Sequence, residues 1–107
     1  MERTVTNLLK TDGFIFLRFT NIICFKEFMQ KAEDEGFVFR GGGCPTKAEY
    51  SNLLFVDETK AFGYAHSVLR MAFSGGFQTV SDKRVSRIDV EKYLRGDEDY
   101  IWKVIRP

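Results

Sequence analysis

The sequence predicts an α+β domain: a small, mostly antiparallel sheet with one main amphipathic helix packed on one face and a short C-terminal helix. Three observations predict it. Apolar residues over 25–32 recur with helical period, short aromatic runs elsewhere suit strands, and turn residues separate these segments. With 107 residues, 44% of them hydrophobic and eleven of them Phe, the chain is expected to form one domain, 1–107. A core of that size needs neither metal nor disulfide to close.

Residues 1–13 show little periodicity, although Leu8 and Leu9 can anchor a short element that Asp12-Gly13 ends. The run Phe14-Ile15-Phe16-Leu17-Arg18-Phe19 is apolar on both alternating faces, which predicts a central strand covered on both sides. Phe25, Phe28, Met29 and Ala32 follow at i, i+3, i+4 and i+7 and predict a helix over 23–35, with Gly36 as its stop. Phe37 to Arg40 alternates as a short strand, and Gly41-Gly42-Gly43-Cys44-Pro45-Thr46 is irregular, because three glycines weaken any regular element. Leu53 to Val56 and Ala61 to Ala65 flank a polar turn and predict a hairpin. Residues 67–73 suit either a helix or a strand, Phe77 to Val80 a strand, and 81–87 a polar connection. Asp89 or Ser86 can cap a helix through Val90, Tyr93 and Leu94 that stops at Gly96, and Tyr100 to Ile105 alternates as a terminal strand.

Sixteen basic residues against fifteen acidic ones give a net charge of +1. That balance excludes a uniformly acidic DNA mimic and a polycation that coats nucleic acid through charge alone. No apolar run approaches the roughly 20 residues that span a bilayer, so no membrane partner is expected. Two cysteines, Cys24 and Cys44, fall short of a disulfide scaffold, and the first residues lack a signal-peptide core. The expected location is cytoplasmic.

The charge is unevenly spread. Lys83, Arg84, Arg87, Lys92 and Arg95 fall within a short stretch, opposed by Asp89 and Glu91, and Asp97-Glu98-Asp99 follows. With Tyr100 and Trp102 beside them, these residues form the candidate partner-binding segment, since Arg, Tyr and Trp dominate interface hot spots. A second candidate is an anion or ligand loop made of Gly41, Gly42, Gly43 and Thr46, with His66. It does not match a Walker loop, because Lys47 follows Cys44-Pro45-Thr46 and no G-x-x-x-x-G-K-[ST] frame fits. Cys44 and His66 lack a third orienting group, and Cys24, Cys44 and His66 lack a fourth ligand and any C-x-x-C pair. No catalytic residue, metal or cofactor is therefore expected, and the chain is read as a non-enzyme. Ile15 to Leu17 and Phe37 to Phe39 resemble the two aromatic strands of an RNA-recognition motif, although only a helix separates them where that family has a further strand.

The stretch from Phe16 to Tyr64 resembles a pattern of short phage and mobile-element proteins. Its parts here are the aromatic strand Phe16 to Phe19, Phe25 to Phe28, Glu35 to Gly41, Pro45-Thr46, Phe55 to Asp57 and the return Phe62 to Tyr64. The resemblance implies an accessory factor that blocks a bacterial defence or nucleic-acid-processing protein, in the manner of an anti-CRISPR inhibitor, with a nuclease effector as one such partner. It carries over no catalytic residue. The alternatives from the residues themselves are a small nucleic-acid-binding module using 83–95 and a small-molecule or nucleotide-binding domain using 41–46.

Overall fold

The computed structural model describes residues 4–9, 14–57, 59–65, 69–71, 79–80 and 83–101. Asn21 opens the longest helix, α2 (Ile22–Asp34), by accepting a hydrogen bond from the Cys24 amide at 2.8 Å. A short helix, α1 (Val5–Leu8), precedes it and is capped by Thr4. The helix expected near the C-terminus, α3 (Val90–Arg95), is capped by Asp89 and stopped by Gly96 in the left-handed conformation.

The strands are β1 (Phe14–Arg18), β2 (Val38–Phe39), β3 (Leu53–Asp57), β4 (Ala61–Tyr64), β5 (Thr79–Val80) and β6 (Lys83–Asp89), with a 3-10 turn at Pro45–Lys47. Among the described residues they form one sheet in the order β2-β4-β3-β1-β6-β5. The α+β class and the central place of β1 hold. The mostly antiparallel sheet does not: β1–β6 and β2–β4 are parallel, while β1–β3, β3–β4 and β5–β6 are antiparallel. Alternating hydrophobicity fixes which face a residue takes and carries no sign for the direction of its neighbour. The expected polar connection over 81–87 is corrected as well, because 83–89 is a strand whose Ser86 and Arg87 are buried.

Two apolar clusters flank the sheet. On one side Ile15, Leu17, Leu54, Val56, Phe62 and Ile88 pack against Phe25, Phe28, Met29 and Ala32 of α2, with α1 and α3 closing the margins. Phe37 and Phe39, the second aromatic strand of the RNA-recognition likeness, point into this core, and Phe37 stacks on Phe62 at 5.3 Å. On the other side lies a smaller cluster of Phe14, Phe16, Leu53, Phe55 and Ala65. Gly63 permits that cluster: the Phe55 ring covers it so closely that a Cβ there would lie inside the ring's van der Waals envelope.

Residues 4–6 are tied to this frame. Glu35, after α2, accepts hydrogen bonds from the Val5 amide (2.9 Å), the Thr6 amide (2.8 Å) and the Thr6 hydroxyl (2.6 Å). Partial burial opposes its ionisation, but these donors and the Lys60 charge outweigh it and hold the carboxyl below the usual carboxylate range. The Tyr93 hydroxyl donates to the Thr4 carbonyl at 2.6 Å, joining α3 to the first described residue.

Candidate interaction surface

The first turn of α2 is unusual in composition. Helix starts favour acidic and small polar residues, yet this one presents Ile22 and Ile23, 48% and 69% exposed. Ile22 leads into a groove of about 310 Å³ between α2 and the segment 45–50. Phe25, Met29, Pro45, Ala48 and Tyr50 supply its apolar lining, and Lys26 and Gln30 stand at its polar margin. Three contacts hold the outer wall. Thr46 donates its hydroxyl (2.7 Å) and its amide (3.3 Å) to the Glu33 carboxylate, and the Tyr64 hydroxyl donates to the Glu49 carbonyl at 3.2 Å. The Tyr50 ring meets Phe25 edge to face at 5.4 Å while remaining 42% exposed.

Ile23 faces the opposite flank of the helix. There a depression of about 190 Å³ is bordered by Ile23, Cys24, Glu27, Asn21 and Glu91. Glu91 is held in place by the Thr20 hydroxyl, the Asn21 side-chain amide at 3.2 Å and Arg95 at 3.3 Å. Burial, followed by the nearby Glu91, Asp89 and Glu27 carboxylates, pushes the Cys24 thiol up to about 11, so it remains protonated and a poor nucleophile.

The described side chains of the basic segment do not gather on one surface. Arg87 lies on β6 in register with Phe16, is 8% exposed, and places its guanidinium 5.9 Å from the Phe16 ring centre on the face away from α2. Lys92 and Arg95 belong to α3, whose Val90 and Tyr93 pack on the α2 side. Each of the two meets carboxylates: Lys92 pairs with Asp99 at 3.1 Å, and Arg95 with Asp97 at 2.8 Å and Glu91 at 3.3 Å. Lys92 correspondingly lowers the Asp99 carboxyl, and Asp97 raises the Arg95 guanidinium. Tyr100 packs edge to face on Tyr93 at 4.9 Å. Trp102 lies outside the described residues, and for Lys83 and Arg84 only the strand position is described.

The glycine triplet forms a closed turn. Gly41 and Gly42 both take φ +94°, the Gly42 amide donates to the Phe39 carbonyl, and the Phe39 amide donates to the Gly43 carbonyl, both at 2.9 Å. Left-handed backbone at two successive positions accounts for glycine there. The loop leads into a 3-10 turn, not an α-helix, and Thr46 is committed to Glu33. His66 lies outside the described residues. Among the described residues no group of three His, Cys, Asp or Glu side chains could hold a metal, and no helix is long and apolar enough to cross a membrane.

The groove beside α2 had no sequence motif to announce it. Its one legible sign was Ile22, an apolar residue at the margin of the Phe25/Phe28/Met29/Ala32 arc. No protein family, curated protein or solved structure matches the chain.

Proposed function

We propose that this chain is a non-enzymatic binding protein whose groove beside α2 receives an apolar side chain of a protein partner. The observation that carries the reading is the groove itself, whose apolar wall of Met29, Ala48 and Tyr50 is bordered by the exposed Ile22 and edged by Lys26, Gln30 and Thr46. A cavity of about 310 Å³ lies at the lower end of the range for small-molecule sites, and a single large side chain suits it. The finer reading comes from the sequence resemblance to phage and mobile-element proteins: the partner is a bacterial defence or nucleic-acid-processing protein, and the chain blocks it sterically. Internal pairing of Lys92 and Arg95 weighs against the nucleic-acid module, which needs cations available to phosphate.

Affinity capture from a bacterial lysate, with and without nuclease, tests this. The expected result is a stoichiometric protein that survives nuclease, is lost with Tyr50→Asp, and is retained with a Lys92→Glu/Arg95→Glu variant. Recovery of nucleic acid alone sinks the proposal.

A further inference from the structure

We infer that the groove beside α2 takes an acidic stretch of the protein partner: a large apolar side chain enters the groove, and a carboxylate beside it in the partner's sequence pairs with Lys26. The inference rests on the function proposed above and adds the chemistry of the partner. Among the described residues, Lys26 is the single charged side chain that lines the groove. It is exposed and makes no ion pair with any described residue. The Glu33 carboxylate that tethers the outer wall accepts instead from the hydroxyl and amide of Thr46. Lys47 and Glu49, both exposed on that wall, offset each other, so Lys26 sets the sign of the groove.

A cation at the rim of an apolar site draws a carboxylate to it and repels a second cation. One turn beyond Lys26, the Gln30 side-chain amide donates to Asp34 at 3.1 Å, which leaves the Gln30 carbonyl oxygen to accept from a partner's backbone amide. The other flank of α2 differs on both counts. It offers Ile23 and Cys24 beside Glu27 and Glu91, so it has fewer apolar residues and the opposite charge. An acidic stretch is repelled there and attracted at the groove. A basic stretch is drawn toward the depression, which has no aromatic or thioether wall to hold an anchor. The two flanks together thus select against basic partners as well as for acidic ones.

Selection from a random displayed-peptide library on the full chain tests the inference. The wild type is expected to enrich peptides that carry Leu, Phe or Trp beside Asp or Glu. Lys26→Glu is expected to enrich the same apolar anchors beside Lys or Arg. The best wild-type peptide, made synthetically, should bind Lys26→Glu about fivefold more weakly. Exchanging that peptide's acidic residue for lysine should restore its affinity for the variant. Lys26 and Tyr50 are exposed, so thermal melts of their variants should match the wild type. A library that yields no peptide, anchors without acidic neighbours, or an acidic preference that survives Lys26→Glu overturns the inference. Anchors that are lost with Tyr50→Asp but show no preference for acidic neighbours leave the groove function standing while this inference falls. Anchors that are still selected by Tyr50→Asp overturn the groove reading and the inference with it.

Discussion

On the side of the sheet that carries α2, phenylalanines meet edge to face inside a core of aliphatic side chains. Phe28 contacts Phe19 at 5.7 Å and Phe62 at 6.2 Å, both steeply inclined. On the opposite side the aromatic rings are fewer and are held between cations. Register sets Arg40, Gly63, Phe55, Phe16 and Arg87 in one row across five strands, with Arg40 one residue beyond the Phe39–Phe62 pair. Arg40 lies 5.1 Å from the Phe55 ring centre and Arg87 5.9 Å from that of Phe16, while Phe14 stacks flat on Phe55 at 5.2 Å. The same residue type thus serves two kinds of cohesion. One is volume filling against a helix, and the other is a thin aromatic layer edged by guanidinium groups.

The largest effect separating the two faces is expected from Phe28→Ala. It empties the middle of the α2 side, where nothing can collapse without moving the helix, and should cost about 3–5 kcal/mol in urea unfolding. On the other face, Gly63→Val drives a side chain into the Phe55 ring and must displace Phe55 from Phe14. The expected loss is about 1–3 kcal/mol, with altered aromatic near-ultraviolet dichroism and an unchanged helix signal. If Gly63→Val proves as costly as Phe28→Ala, the second face is a full core and the contrast fails.

A smaller effect sits at the edge of the helix side. Because the folded state holds Glu35 below its ordinary range, its contribution is present above the unfolded-state pKa and is lost as pH falls through the folded value. Glu35→Gln should flatten that acid limb, and hydrogen exchange at the Val5 and Thr6 amides should accelerate at neutral pH. The smallest effect is Arg40→Ala, which removes one exposed cation–π contact worth roughly 0.5–1 kcal/mol. A null result there would assign the cohesion of that face to its rings alone.

The sequence made one face much more legible than the other. Phe25, Phe28, Met29 and Ala32 announced α2 because a helix records its buried side at fixed spacing, and the expected 23–35 differs from the observed Ile22–Asp34 by one residue at each end. The run from Phe14 to Phe19 likewise signalled two covered faces. Strand β6 was hidden by its polarity: Ser86 and Arg87 look solvated in sequence, and only their register against Ile15 and Phe16 explains their burial. Phe37 and Phe39 read in sequence as core more than as base-stacking aromatics, and both are buried on the α2 side; the pairing of Phe16 with Phe55 was not legible, because strand adjacency is set by crossovers that local pattern does not record. The basic segment looked continuous in sequence and is divided by the strand-to-helix junction at Asp89–Val90.

The parallel pairing of β1 with β6 also shapes how the chain matures. Phe14 waits for Val85, and Thr20 for Glu91, across a separation of 71 residues. During synthesis β3 can cover one edge of β1 early, but the other edge stays open until β6 emerges. An exposed aromatic strand with an unpaired edge is prone to intermolecular pairing. The nascent chain thus keeps one edge of this aromatic strand open until β6 has emerged, long after β3 and β4.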